Sequence, residues 1–168
     1  MSSADGPARL AAYLAAHGLA AEVVRLDAHT PTVETAAQVM GTTTDRIVKS
    51  VLFLLAGPEG AAPEPVLVIA NGLARVDDKR VAAHLGVSRR KLKLAGPAEV
   101  LAHTGYPVGG VPPLGHPAPL RTLLDPAVLA QPEVYAGGGA VDALLRLTPA
   151  EIVRATGAEL LAAPAPPA

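Results

Sequence analysis

The feature that most constrains this chain is an apolar run, Val51 to Leu55, that begins just after a lone lysine, Lys49. The run is long enough for one buried strand. Lysine is rarely buried without a partner, so the ammonium group must either reach solvent or face a polar cavity beside the strand. Local sequence leaves both alternatives open: a boundary lysine that extends into water, or a fixed point charge for a phosphate or a developing oxyanion.

A glycine- and proline-rich stretch, residues 105–115, is the candidate for the opposite wall of such a cavity. The adjacent Gly109 and Gly110 allow backbone to approach a ligand closely and to direct N–H groups at an oxyanion. Pro112 and Pro113 lack N–H donors and stiffen the turn. An ordinary tight connection between strands would explain one glycine more easily than this cluster. We therefore hypothesise that Lys49 and this loop form a small hydrolytic site.

Length and composition favour one domain with a substantial core. The chain has 168 residues, half of them apolar but only 2% aromatic, so small aliphatic side chains must build the core. We expect a single domain over residues 1–161 and a disordered Ala/Pro tail over 162–168. The net charge of −1 disfavours a general DNA-binding protein. No apolar stretch has membrane-spanning length, and the absence of cysteine fits a cytoplasmic protein.

The order of predicted elements favours an α+β fold. Strands are predicted at residues 22–27, 51–55, 66–70, 89–94, 120–124, 133–136 and 143–147. Helices are predicted from a start near Gly6 and Pro7 to a stop at Gly18, and at residues 33–40, 77–85, 97–103 and 149–156. The runs 51–55 and 66–70 are apolar at nearly every position, which predicts that both of their faces are covered. Because helices and strands do not alternate regularly, a curved, mixed sheet is favoured over a doubly wound fold.

Positive charge is concentrated in one part of the chain. Half of the 14 cationic residues fall within a short span: Arg75, Lys79, Arg80, Arg89, Arg90, Lys91 and Lys93. A solvated face is the common explanation for such a cluster, and a nucleic-acid backbone is the less common one. No aromatic stacking platforms accompany it, which argues against a general single-strand binder.

Other reactive side chains show no recognised catalytic or metal-binding pattern. The five histidines lack metal-ligand spacing, so we predict neither a metal nor a cofactor. His29, just before Thr32, could line a pocket, although a surface or core histidine is the more common case. Ser50 lies in no nucleophile elbow, which disfavours a serine hydrolase. The run Gly137 to Gly139 fits no phosphate-binding motif.

Four stretches of the chain, taken in order, resemble the YbaK/ProX family, free-standing relatives of the editing domain of bacterial prolyl-tRNA synthetases. They are residues 32–41 leading to 47–50, residues 70–72 leading to 76–79 and 85–86, residues 104–115, and residues 135–138 before 147–149. The resemblance extends from about Glu22 to Leu160. It implies a barrel-like mixed sheet with flanking helices, and hydrolysis of the ester in mischarged aminoacyl-tRNA.

The resemblance also implies roles for individual residues. Lys49 matches the essential lysine of the family, and Gly109 and Pro113 match its G-x-x-x-P loop, which surrounds the scissile carbonyl. The catalytic candidates are therefore Lys49, Gly109 and Gly110. Pro112 stands where many members carry Ser or Thr. The substrate-binding candidates are His29, Thr32, Arg46, Gly72, Val111, Pro112, Pro113, Gly137 and Gly138. The tRNA-binding candidates are Lys79, Arg80, Arg89, Arg90, Lys91 and Lys93. No role is carried over to Asp142.

The expected substrate is a small amino acid such as Ala, Cys or Ser, attached to tRNA(Pro). The expected partners are the tRNA acceptor end and prolyl-tRNA synthetase, without membrane or DNA, and the protein is expected to be a monomer or weak homodimer. The alternative is a non-catalytic module of the same fold that binds tRNA or a synthetase.

Overall fold

The computed structural model describes residues 5–27 and 32–163. Within these ranges the chain forms six helices and eight strands. The helices are α1 (Gly6–Ala16), α2 (Val33–Met40), α3 (Asp78–Leu85), α4 (Pro97–Thr104), α5 (Pro126–Leu129) and α6 (Pro149–Thr156). The strands are β1 (Ala21–Arg25), β2 (Val48–Leu55), β3 (Glu64–Asn71), β4 (Leu92–Leu94), β5 (Arg121–Leu124), β6 (Val134–Gly137), β7 (Ala143–Leu147) and β8 (Glu159–Leu160).

The strands form two sheets. One has three antiparallel strands in the order β1-β7-β6, and the other has five strands in the order β4-β2-β3-β5-β8. In the larger sheet β2 pairs antiparallel with β3 and β4, whereas β3–β5 and β5–β8 are parallel pairs. A single bridge between Ile47 and Tyr135 links the sheets. The predicted α+β class with a mixed sheet is confirmed, but the described strands form two joined sheets and do not close into a barrel.

The central hairpin β2–β3 carries the core on both of its faces. Leu52, Leu67 and Ile69 pack on one side, and Phe53 and Val66 pack on the other. Because successive side chains of a strand alternate between faces, a strand covered on both sides must be apolar at nearly every position. This confirms the prediction drawn from the two apolar runs.

Local signals determine most helix ends. Thr32 caps α2 through its side chain, and α2 ends at Gly41, whose φ of 64° is in the left-handed region. Helix α6 has the predicted bounds, between a Thr148 cap and Gly157. The stretch 89–94 differs from the prediction: residues 89–91 form a 3-10 turn and only residues 92–94 form a strand. No helix in the described ranges is long and apolar enough to cross a membrane.

The end of the chain is held to α3 up to Ala162. The Ala162 N–H donates to His84 Nδ1 at 3.0 Å, and its carbonyl accepts from Arg80 Nε at 2.7 Å. The rest of the tail predicted to be disordered, residues 164–168, lies outside the described residues.

Candidate active site

Lys49 lies near the start of β2, opposite Ala70 of β3. Alternation along the strand puts it on the same face as Val51 and Phe53, with Ser50 on the other face. The side chain is partly buried. No carboxylate in the described part of the chain forms an ion pair with Lys49. Its ammonium group is therefore available to an anionic or polar ligand.

A cavity of about 250 Å³, here called the lysine cavity, opens beside this residue. Its walls come from α2, the start of β2, the glycine loop and strands β6 and β7. The residues that line it are Thr32, Val33, Ala36, Ile47, Val48, Lys49, Ser50, Gly109, Val111, Ala136, Gly137, Val141, Ala143 and Leu144. Lys49 and Gly109 thus share one cavity, and it is smaller than the roughly 300–1,000 Å³ of ordinary ligand pockets.

The two glycines of the loop have different environments. Gly109 is exposed, lines the cavity and has a φ of 89°, which favours glycine. Gly110 is buried: its N–H donates to the Pro107 carbonyl at 2.9 Å, and its own carbonyl accepts from Gly139 N–H at 2.8 Å. A Cβ at Gly110 would lie 2.7 Å from the backbone nitrogen of Ala140. Gly110 therefore holds the loop against the second glycine patch and has no N–H left for a ligand.

Neither the Gly109 N–H nor the Val111 N–H has an acceptor within the described ranges. Both residues line the lysine cavity. Backbone N–H groups left unbonded beside a cavity are suitable donors for a negatively charged oxygen.

Glycine at position 137 is required for the loop to approach β6. A Cβ there would lie 2.2 Å from the Val111 carbonyl oxygen. Gly138 also lacks room for a side chain, with Ala143 carbonyl carbon 2.6 Å away, but it is buried and does not line the cavity. Of the two predicted substrate-binding glycines in this patch, the cavity includes only Gly137.

The remaining predicted substrate-binding residues have different environments. Thr32 lines the cavity while its hydroxyl caps α2. Gly72 packs between α2 and β2, where a Cβ would lie 2.8 Å from Val33 Cγ2, and does not line the cavity. Arg46 lies in a 3-10 turn outside the lining. His29 lies outside the described residues.

Pro112 and Pro113 are buried, and neither lines the lysine cavity. The carbonyl of Pro112 accepts a hydrogen bond from His116 Nε2 at 2.9 Å. A carbonyl only accepts, so this nitrogen carries the proton. Burial lowers the pKa of His116, although the bond to Pro112 opposes that effect. His116 thus donates a hydrogen bond to the Pro112 carbonyl and holds this part of the loop in place.

Ser50 is a cavity residue for which the sequence offered no catalytic motif. Its hydroxyl oxygen is buried and has no hydrogen-bond partner in the described part of the chain. Buried polar atoms are nearly always satisfied, so an unpartnered hydroxyl at a cavity wall is a candidate ligand contact. Val33, Ala136, Val141 and Leu144 were also missed, since only the fold brings their three segments together.

The predicted tRNA-binding cations do not form one uniform patch. Arg80 is mostly buried and bonds to Asp125 and to the carbonyls of Leu161 and Ala162. Arg89 pairs with Asp78 at 2.9 Å. Lys93 lies 3.8 Å from Glu99. Arg90, Lys91 and Lys79 are exposed and form no ion pair within the described ranges.

A second cavity of about 620 Å³, here called the basic groove, adjoins the first and also has Lys49 in its wall. Its residues are Lys49, Val51, Phe53, Arg75, Val76, Asp77, Asp78, Lys79, Arg89 and Leu94. Over the described residues, no three His, Asp or Glu side chains lie close enough together to hold a metal ion.

Comparison with known proteins gives a consistent set of similarities. Residues 27–155 match the family described as aminoacyl-tRNA editing domain. An uncharacterised protein of Bacillus subtilis, YwhH, is 31% identical over 131 residues, 78% of each chain. The proline–tRNA ligase of Nitratidesulfovibrio vulgaris is 31% identical over 126 residues, which are 75% of this chain but 20% of the ligase. A crystal structure described as a candidate trans-editing enzyme for prolyl tRNA synthetase is 38% identical, with a TM-score of 0.82 and coverage of 95% and 96%.

Proposed function

The chain belongs to the aminoacyl-tRNA editing domain family, and we propose that it hydrolyses the ester bond of mischarged aminoacyl-tRNA, acting in trans. The single observation that carries the proposal is that Lys49 and Gly109 line one small cavity. The similarity to a candidate trans-editing enzyme over nearly the full length of both chains supports it.

The reaction needs little from the protein beyond positioning and charge stabilisation. Water adds to the ester carbonyl carbon, the carbonyl oxygen becomes negatively charged, and the C–O bond to the ribose then breaks as the ribose oxygen takes a proton. Donors fixed around the developing oxyanion supply a large part of such acceleration. We assign that role to the Gly109 and Val111 N–H groups, which have no acceptor in the described part of the chain. Gly110 instead holds the loop in position.

Lys49 contributes a fixed positive charge. It either anchors the terminal phosphate or polarises the substrate near its carbonyl, and its freedom from carboxylate partners among the described residues supports either role. The resemblance to the YbaK/ProX family implies that a hydroxyl of the terminal ribose helps to activate the water.

Selectivity is steric in this proposal. Val33, Val111, Ala136 and Leu144 surround a volume of about 250 Å³, which suits a small acyl group such as alanyl, cysteinyl or seryl. A hydrophobic wall distinguishes side chains that differ by one methylene by about 1–3 kcal/mol. The unpartnered Ser50 hydroxyl is the polar contact available to the bound aminoacyl group.

The proposed partners are the acceptor end of tRNA(Pro) and prolyl-tRNA synthetase, encountered in the cytoplasm by a monomer or weak homodimer. Lys79, Arg90, Lys91 and Lys93 are the proposed tRNA contacts, and Arg89 is left out because it is paired with Asp78. Arg80 is left out of this set because its guanidinium donors are engaged within the protein.

A panel of mischarged tRNAs tests the proposal. The wild-type protein should deacylate alanyl-, cysteinyl- or seryl-tRNA(Pro) faster than the spontaneous rate, and correctly charged prolyl-tRNA(Pro) more slowly. Lys49→Ala should abolish the acceleration without loss of the folded state. Release no faster than the spontaneous rate across a full set of mischarged tRNAs would refute hydrolysis and leave a non-catalytic tRNA-binding module.

A further inference from the structure

The basic groove and the lysine cavity share one wall residue, Lys49. The groove is the larger of the two, at about 620 Å³ against about 250 Å³. Val51 and Phe53 lie on the same strand face as Lys49 and line the groove. A ligand whose reacting group occupies the lysine cavity can therefore continue into the groove past the lysine side chain.

The free charge of the groove is positive. The groove is lined by four cations and two carboxylates: Lys49, Arg75, Lys79 and Arg89, with Asp77 and Asp78. The Asp77 carboxylate caps α3 by accepting the Lys79 N–H at 2.9 Å, and Asp78 is paired with Arg89 at 2.9 Å. Helix N-terminal N–H groups and the arginine thus offset both carboxylates.

Arg75 and Lys79 are the cations of the groove that remain for a ligand, together with Lys49. Both are exposed, and neither forms an ion pair with a carboxylate of the described residues. Two unpaired cations beside a cavity are suited to bind the oxygens of a phosphate group.

The groove also has an apolar floor. Val51, Phe53, Val76 and Leu94 line it, and Leu94 leaves 61% of its surface exposed. Phe53 is only 4% exposed, so the floor is mainly aliphatic. Such a floor gives the sugar and base of a nucleotide an apolar contact while the phosphate meets the charges.

We propose that the basic groove binds the single-stranded 3′ end of the tRNA, at the nucleotides that precede the esterified one, with Arg75 and Lys79 as the phosphate contacts. This inference rests on the proposed function for the identity of the substrate. In aminoacyl-tRNA the acyl group is attached to the last ribose, and the phosphodiester chain leaves that ribose on its 5′ side. With the acyl group in the lysine cavity, the chain passes Lys49 and enters the groove.

The direct test is binding of uncharged tRNA, which needs no catalysis. Affinity is measured for tRNA with its 3′ CCA end and for the same tRNA with that end removed. The Arg75→Ala/Lys79→Ala variant is compared with wild type and with Arg25→Ala/Arg146→Ala, which removes the same charge from exposed positions on the smaller sheet. Wild type and the control should prefer the intact tRNA, whereas the groove variant should bind both forms with equal affinity.

Salt dependence gives a second readout. Each lost contact to a single-stranded phosphate lowers the slope of log K against log salt by about 0.7. For two contacts and a fourfold rise in salt, from about 50 to about 200 mM, wild type should lose roughly sevenfold more affinity than the groove variant. Equal slopes in the two proteins, or retention of the preference for intact tRNA by the groove variant, would overturn the inference.

Deacylation of a small substrate separates this inference from the proposed function. Alanyl-adenosine has an ester but no phosphodiester, so the groove variant should lose a larger factor in kcat/KM on alanyl-tRNA than on this small substrate. Failure of wild type to hydrolyse either substrate would refute the proposed function, and the binding measurements would still decide the inference. An equal loss on both substrates in the groove variant would refute the phosphate role.

Discussion

Replacement of Gly137 by alanine tests how closely the site depends on the approach of β6 to the glycine loop. The added Cβ would lie 2.2 Å from the Val111 carbonyl oxygen, where ordinary contacts begin at about 3.4 Å. The three nearest atoms all belong to the backbone of Gly110 and Val111, so the loop must move by about 1 Å. Overpacking of this kind costs about 1–3 kcal/mol. For a chain of this size each kcal/mol lowers Tm by about 2–4 °C.

The same displacement should also lower activity. Val111 and Gly109 line the cavity on the moved segment, and a 1 Å misplacement of a positioning group costs on the order of 100-fold in rate. The assay is kcat/KM for alanyl-tRNA(Pro), with Tm measured by circular dichroism on the same preparations.

Gly96→Ala is the matched control. Gly96 has a φ of −80°, and the nearest atom to an added Cβ is a side-chain oxygen at 3.6 Å. Gly96 is the N-cap of α4, where glycine is preferred to alanine, so this variant should lose about 1 kcal/mol of stability, comparable to the loss in Gly137→Ala, while it keeps wild-type activity. Wild-type kcat/KM in Gly137→Ala would refute the argument that the loop conformation defines the site.

Three further predictions concern other parts of the molecule. Arg80→Ala should destabilise the fold by about 1–3 kcal/mol, because it leaves the mostly buried Asp125 and two carbonyls without their donor; an unchanged Tm with weakened tRNA binding would contradict this structural role. Bonding to Arg154 lowers the pKa of Glu151 from its usual 4.5 to about 2, so its ionised form stabilises the protein above pH 4.5 and that stabilisation disappears as the pH falls through about 2. Glu151→Gln should flatten the acid decline of Tm over that window, and an identical profile would contradict it. Ser50→Ala should leave Tm unchanged or raised, since the buried hydroxyl has no protein partner among the described residues, yet lower kcat/KM; a large loss of stability would show that the hydroxyl is structural.

The elements that the sequence predicted well are those with strong local signals. Helix α6 has a threonine cap at one end and glycine at the other, and strand β7 has a clear apolar run, so both have the predicted bounds. Helix α5, with 4 residues, and strand β8, with 2, were not predicted. Elements this short are stabilised by their tertiary neighbours, as β8 is by its parallel pairing with β5, and pattern alone does not reveal them.

The site was predicted in outline and differs in detail. The association of Lys49 with the Gly109 loop followed from chemistry and family resemblance, and both residues line one cavity. The separate environment of Gly110 depends on an acceptor in the same loop and on Gly139, 29 positions later, so no local pattern distinguishes it from Gly109. Arg80 was placed with its charged neighbours because its partner Asp125 lies 45 residues away.

Lys49 is the residue on which the proposed hydrolysis depends most. The most direct test is the single-turnover rate of alanyl-tRNA(Pro) hydrolysis at saturating protein, for wild type, Lys49→Ala and Lys49→Arg. Removing a preorganised charge from a reacting oxyanion costs on the order of 10²–10³ in rate, so Lys49→Ala should fall by about that factor, and Lys49→Arg, which keeps the charge, should retain part of the rate. A Lys49→Ala protein that binds tRNA weakly but hydrolyses the ester at the wild-type rate once saturated would contradict a role for Lys49 at the carbonyl and leave it only the phosphate contact.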